Sequence, residues 1–194
     1  ILSSSPGPDG NSVRSIKNLP KKALTYLTKV FNTCLTNQYF PSIWKESKII
    51  SIHKPGKDAT MPQNYRPISL LSNVGKLLER IILRRLCDEL QDHGNLNANQ
   101  FGFRKNHSTV QQLLRTVEFI LEARNLRQSS GAIFLDIAKA FDKVWHEGLL
   151  FKMIQMNFSA SLIHLIKDYL NNRHFYTEIN KQKSSTRSIT AGVP

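Results

Sequence analysis

Cysteine is nearly missing from this chain. Two in 194 residues, Cys34 and Cys87, are too few and too far apart for a disulfide framework or a Cys-x-x-Cys site. Both fall among apolar helical positions and read as small core residues in a reducing compartment. The six histidines are scattered, without a His-Glu-x-x-His pair or a Cys/His cluster, so a zinc site is not expected. Long apolar runs are also absent. Runs such as Ala132–Leu135 fall far short of the ~20 residues a membrane-crossing helix needs. No secretory leader opens the sequence, so secretion is not expected. A phosphate-binding loop of the Walker type is excluded as well. Gly56-Lys57 is followed by Asp58 and has Ser51 where the first Gly belongs, and Gly75-Lys76 has Leu70 and Leu77 at the diagnostic positions. No Gly-x-Ser-x-Gly or Cys/His pairing points to a covalent nucleophile, and there are no repeats or low-complexity tracts.

Acidic residues are scarce: 14 Asp and Glu stand against 27 Lys and Arg, a formal net charge of +13. The excess is spread over both halves, so it is not a basic tail on a neutral body. A folded domain with this charge repels itself unless an anion is near, and nucleic acid is the leading partner because phosphate contacts dominate such affinity. An anionic membrane surface ranks well below it, since no polybasic helix carries an aromatic face. With 40% apolar residues the chain can bury a core, which excludes wholesale disorder, and its length suits one domain or one and a half. It starts at Ile1 and stops at Pro194 in mid-phrase, so it reads as part of something longer.

Local patterns predict a mixed α+β chain. Pro6-Gly7-Pro8-Asp9-Gly10 is turn chemistry. A helix is expected from Pro20 to about Asn37, with Leu24, Leu27, Val30, Phe31 and Leu35 on one face. Lys48–His53 predicts a strand, followed by a polar loop to Asn64. Asn73 can cap a helix from Val74 to about Asp92, stopped at Gly94, with Leu77, Leu78, Ile81, Ile82, Leu86 and Leu90 buried. Ser108 can cap the next, running to about Arg127, lined by Leu113, Leu114, Val117, Ile120 and Leu121. Ala132–Leu135 is apolar without alternation and predicts a strand covered on both faces. Two helices are expected near 147–157 and 160–171, then a hairpin from His174 to Ile189.

Three places carry chemistry. Asp136 closes the apolar run Phe134-Leu135, and a carboxylate there is costly unless it is paired or binds a metal. From the pattern it is either a Mg²⁺ ligand or the cap of the segment that follows, while Asp142 is better read as a cap or a member of a surface pair. Lys48, His53, Lys54, Lys57 and Arg66 surround a Pro- and Gly-containing loop. Such a tip clamps a triphosphate, with Arg binding in bidentate fashion, or is a solvated basic loop. Asn99-Gln100-Phe101-Gly102-Phe103-Arg104-Lys105 sets two aromatics beside two cations ahead of a helix N-terminus. It either stacks bases and holds phosphates, or sends at least one Phe into a core.

Taken together and in order, these phrases resemble the reverse transcriptase domain of non-LTR (LINE-type, jockey-like) retrotransposons. The matching phrases are Pro6–Gly10, Asn64-Tyr65-Arg66-Pro67-Ile68-Ser69-Leu70-Leu71, Gly75-Lys76-Leu77-Leu78-Glu79, Gln100-Phe101-Gly102-Phe103-Arg104 and His107-Ser108-Thr109. Phe134-Leu135-Asp136, Ala140-Phe141-Asp142-Lys143-Val144-Trp145 and Ala191-Gly192-Val193-Pro194 complete the set. They cover nearly the whole chain.

The resemblance implies a right-hand polymerase: an N-terminal extension and fingers over 1–128, and the N-terminal part of a palm over 129–194. It implies RNA-directed DNA synthesis from dNTPs onto a primer 3′-hydroxyl, with an RNA template, a DNA primer or target and two Mg²⁺ ions. Asp136 would bind both metals, joined by the Ile137 carbonyl, and Phe141 resembles the steric gate against a ribose 2′-hydroxyl. Lys54 and Arg66 match positions that contact the incoming triphosphate, with Lys57 as the alternative to Lys54. Gln100, Gly102 and Arg104 match a segment that helps hold template and primer. The family pattern continues past Gly-Val-Pro with Gln-Gly-Ser and an Asp-Asp turn carrying the remaining carboxylates, and this sequence ends first. The piece is therefore expected not to polymerise alone. The other reading is a non-catalytic RNA-binding remnant. A ribonucleoprotein, nuclear and cytoplasmic and not membrane-bound, is the expected setting.

Overall fold

A computed structural model describes residues 6–92, 96–179 and 182–194. The predicted stop at Gly94 lies outside them. The chain divides into two compact units, one of residues 1–89 with 139–194, the other of 90–138.

The larger unit begins with the turn at Gly7–Gly10 and a short helix, α1 (Val13–Lys17), which the sequence reading missed. Ser12 caps it by accepting from the Ser15 N–H. Helix α2 (Lys21–Thr36) follows Pro20, which ends the preceding extended backbone. Strands β1 (Glu46–His53) and β2 (Tyr65–Leu70) form an antiparallel hairpin, with Ile52 opposite Arg66 and Ile50 opposite Ile68. The β-branched isoleucines of β1 suit a pleated surface. Pro67 cannot donate to a ladder, and it is tolerated because β2 lies at the sheet edge. Helix α3 (Asn73–Asp92) comes next, then, after the smaller unit, α5 (His146–Gln155) and α6 (Ala160–Leu170).

Strand β3 (Arg173–Ile179) pairs with β4 (Gln182–Lys183) and β5 (Arg187–Ile189) in antiparallel fashion, as the predicted hairpin requires. Its other edge runs parallel to β1, with Ser47 beside Phe175. The result is a five-stranded mixed sheet in an α+β chain. The core lies among four helices. Phe31 and Cys34 of α2, Leu78 and Ile82 of α3, Met153 of α5 and Leu162, Leu165, Ile166 and Leu170 of α6 close around Phe40. Leu24 and Val30, expected on the buried face of α2, are exposed instead. Cys87 is exposed too, in contrast to its expected place in a core, whereas Cys34 is buried.

One half-buried ion pair ties α6 to the start of β1. Asp168 accepts from the Phe40 N–H (2.7 Å) and from Lys45 Nζ (3.1 Å), and the same ammonium donates to the Asp168 carbonyl (2.6 Å). Glu89 joins α3 to the start of α6. Its two oxygens accept from the Ser159 N–H (2.8 Å) and Ser159 Oγ (2.6 Å), just ahead of α6. Glu89 is therefore more than a charge on a solvated helix end. A carboxylate is favourable at a helix N-terminus.

The smaller unit holds α4 (Thr109–Asn125). Ser108 caps it in a reciprocal box. Its hydroxyl accepts from the Gln111 N–H, and its own N–H donates to Gln111 Oε1 at 2.7 Å. Leu113, Leu114, Val117, Ile120 and Leu121 line one side as expected, yet all five are exposed. The predicted strand at Ala132–Leu135 is not formed. Ile133, Phe134 and Leu135 are 89%, 91% and 92% exposed, and no strand pairs with them among the described residues. A doubly covered strand needs ladder partners on its edges and layers on its faces, and neither is supplied here. No helix of the described residues is long and apolar enough to cross a membrane.

Candidate functional site

Lys54 and Arg66 sit at the tip of the β1–β2 hairpin. Lys54 follows β1 directly. Its N–H donates to the Asn64 carbonyl (2.8 Å) and its ammonium to the Gln63 carbonyl (2.9 Å), which holds it across the loop. Tyr65 is pinned by its hydroxyl to the Ala59 carbonyl (2.9 Å) and packs on His53, 5.2 Å between ring centres. Arg66 is exposed and shares a sheet face with its cross-strand partner Ile52 and with Ile68, both also exposed. Lys57 lies in the intervening loop and is exposed. The tip thus presents cations beside apolar surface, an arrangement able to take a phosphate chain attached to a flat, partly apolar group.

Phe141 opens a tight turn, Phe141–Lys143, and is 61% exposed. This turn is clasped by the chain's last residues. The Val193 N–H donates to the Phe141 carbonyl (2.9 Å) and the Gly192 N–H to the Val144 carbonyl (2.9 Å). His146, buried at the start of α5, lies with Nε2 2.7 Å from the Gly192 carbonyl. A carbonyl only accepts, so Nε2 carries the proton here. Gly192 has φ +88°, and a Cβ there would come within 2.9 Å of the Asp142 carbonyl oxygen. Two distant sequence phrases, Phe141–Trp145 and Ala191–Pro194, are therefore one structural piece.

The N-terminal phrase docks in a similar way. A Cβ on Gly7 would fall 2.4 Å from the Leu71 carbonyl oxygen, so only glycine allows this approach. Asp9 Oδ2 accepts from Ser72 Oγ (2.6 Å), and Asn73 Nδ2 donates to the Asn11 carbonyl (2.7 Å). Ser72, not Asn73, caps α3, because the hydroxyl of Ser72 accepts from the Gly75 N–H. Asn73 is occupied by the N-terminal segment instead. Burial raises the Asp9 carboxyl, but the hydrogen bonds from Ser72 and Asn11 outweigh it and hold it below its ordinary value. A group so depressed stabilises the fold above its unfolded pKa and loses that contribution as pH falls through the folded one. Ser72→Ala should cost about 1 kcal/mol for the cap. It should also flatten the loss of stability below about pH 4. Urea melts at pH 6 and pH 3 check both.

Glu79, in the Gly-Lys-Leu-Leu-Glu phrase, accepts from the Tyr169 hydroxyl (3.0 Å). Burial, with Glu79 beside it, pushes that hydroxyl's pKa up. The Arg173 guanidinium stacks 4.7 Å from the Tyr169 ring centre and is itself pulled down by burial, with Tyr169 and Glu79 opposing. Sequence reading missed Arg173. It stands in a polar stretch, Asn171-Asn172-Arg173-His174, where nothing local signals that it is 1% exposed.

The remaining predicted residues lie in the smaller unit. Gln100 Nε2 reaches the Gly102 carbonyl at 3.4 Å, and nothing lies within 4 Å of where a Gly102 Cβ would stand. Arg104 Nη1 donates to the Asn97 carbonyl (3.2 Å). Phe103 is fully exposed, and Phe101 stacks against His107 and the Arg115 guanidinium. Asp136 is exposed, with the Ile137 carbonyl next in sequence. Among the described residues no group of three or more His, Cys, Asp or Glu could hold a metal. An exposed carboxylate beside a main-chain carbonyl is the hard-oxygen donor type that divalent cations take, but it is only part of the roughly six ligands they need.

Comparison with known proteins gives the class. Residues 52–194 match the reverse transcriptase (RNA-dependent DNA polymerase) family, and the chain belongs to it. It is 44% identical over 193 residues to the RNA-directed DNA polymerase from mobile element jockey of Drosophila melanogaster, covering 100% of this chain and 21% of that protein. It is 42% identical, with the same coverage, to the probable RNA-directed DNA polymerase from transposon BS of the same fly. It is 43% identical over 189 residues to that from transposon X-element, covering 97% of this chain and 21% of that protein. The chain thus spans about a fifth of the relatives it matches. Reverse transcriptases depend on a divalent metal and act on RNA template, primer and dNTPs.

Proposed function

We propose that this chain is the fingers and first palm segment of an RNA-directed DNA polymerase from a jockey-like non-LTR mobile element. One observation carries the reading: the β1–β2 hairpin brings Lys54 and Arg66 to a single tip. Arg66 offers a planar fork to phosphate oxygens, and Lys54 can exchange the neutral Gln63 carbonyl for an anion. Phe141 stands on a turn fixed by Val193 and Gly192, so its ring can exclude a ribose 2′-hydroxyl by bulk. Gln100, Gly102 and Arg104 take template and primer, and the net charge of +13 favours binding along their phosphates. Asp136 and the Ile137 carbonyl would hold Mg²⁺. When bound, the cation neutralises charge that builds on the phosphate oxygens during transfer.

The test is primer extension on an RNA template by the complete protein, with dNTPs and with ribonucleotides. Phe141→Val should leave extension with dNTPs in place and raise ribonucleotide incorporation by about tenfold or more. Unchanged discrimination would remove Phe141 from the nucleotide site. RNA binding without any extension by the intact protein would favour the non-catalytic remnant.

A further inference from the structure

We propose that Asp142 and Arg173 form an ion pair inside the small cavity they both line, and that the pair positions the turn carrying Phe141. Arg173 is almost wholly buried, and Nη1 donates to the Tyr169 carbonyl (3.0 Å). Its other two nitrogens, Nε and Nη2, are buried without an acceptor. These two share one edge of the planar guanidinium, and their N–H bonds run parallel. That edge matches the two oxygens of a single carboxylate. A buried cation left with two idle donors is expensive, so the edge calls for an acceptor.

Arg173 lines a cavity of about 150 Å³, together with Ser47, Ser69, Asp142 and the last residues of the chain. Among the lining side chains Asp142 is the one carboxylate. It is exposed, and it takes part in neither of the two ion pairs among the described residues, Lys45–Asp168 and Lys48–Glu178. Glu79, the other acid near Arg173, already accepts from Tyr169. The backbone holds the two partners on one strap. Ile189 of β5 pairs with Arg173, and the chain runs on to Gly192, which packs on the Asp142 backbone. Rotation of the Asp142 side chain between staggered rotamers turns its carboxylate into the cavity without moving that strap.

Asp142 and Arg173 are then positioning residues. Their consequence for nucleotide choice rests on the polymerase reading, but the pair itself does not. In the 194-residue chain, Asp142→Asn should lower the folding equilibrium constant by about tenfold, and by less than about twofold in an Arg173→Met background. Equal losses in both backgrounds would overturn the pair and leave water as the fork's acceptor. Should Arg173→Met not fold, the ¹⁵N signal of Arg173 Nε–H decides. It should shift and exchange with solvent at least about tenfold faster in Asp142→Asn, but not in Asp9→Asn. An unmoved signal would overturn the proposal. In the complete polymerase, Asp142→Asn should raise KM for dNTPs and ribonucleotide incorporation, with kcat for the correct nucleotide little changed. If the pair is present and the nucleotide terms do not move, the positioning role fails. If the intact protein does not extend primers, the polymerase reading fails and the pair stands.

Discussion

Phe40→Ala should unfold much of the larger unit's stability, costing about 3–5 kcal/mol in urea denaturation. Phe40 is 0% exposed. Its ring meets Tyr169 edge-on at 4.9 Å and Trp44 at 6.1 Å, and the Arg173 guanidinium lies 6.0 Å from its centre. Helices α2, α3, α5 and α6 all contribute to the cluster around it. Truncation would leave a hole bordered by aromatic rings too large to collapse into it. It would also loosen the Phe40 N–H bond to Asp168, on which the buried Lys45 depends. A domain of ordinary stability has about 5–15 kcal/mol in hand, so a loss of this size removes a large share of it. Phe40→Leu should recover more than half of the loss. A cost for Phe40→Ala under about 1 kcal/mol would mean that the four helices do not share one core.

The elements set by local chemistry were legible in sequence. Helix α2, the cap at Ser108, strand β1, helices α5 and α6 and the β3–β5 hairpin all follow from patterns a few residues long. What was not legible depends on partners far along the chain. The parallel pairing of β1 with β3 joins residues more than a hundred positions apart. Asn73 is as good a helix cap as Ser72 by residue type, and the choice falls to Ser72 because Asn11 claims the Asn73 side chain. The run Ala132–Leu135 has the composition of a buried strand, but composition does not supply a ladder partner, and among the described residues none is present. The same division holds for the site. A basic hairpin tip could be read from Lys54, Lys57 and Arg66, whereas the burial of Arg173 arises from Phe40, Tyr169 and the strap at Ile189. The resemblance named the phrases that matter. The fold gives physical reasons for several: Gly7 and Gly192 for backbone approach, and Glu79 for the half-buried Tyr169 hydroxyl.

Asp136→Asn should abolish DNA synthesis by the complete polymerase while leaving its fold and its RNA affinity intact. The argument starts from exposure. Asp136 and its neighbours Leu135 and Ile137 are open to solvent in the smaller unit, so the amide replaces the carboxylate without opening a cavity or breaking a hydrogen bond. A loss of activity therefore reports chemistry and not unfolding. One charged oxygen ligand is removed, and an amide oxygen is a far weaker partner for a hard dication. If the cation contributes about 4 kcal/mol at the phosphoryl group, synthesis falls about a thousandfold. RNA binding draws on the dispersed Lys and Arg and should change by less than about twofold, with the same dependence on salt. Metal titration supplies a second readout: the concentration of Mg²⁺ or Mn²⁺ needed for half-maximal synthesis should rise in Asp136→Glu, which keeps the charge and moves it by one methylene. Synthesis by Asp136→Asn within about tenfold of the parent would take the metal away from this residue, leaving it a surface carboxylate at the end of an apolar segment.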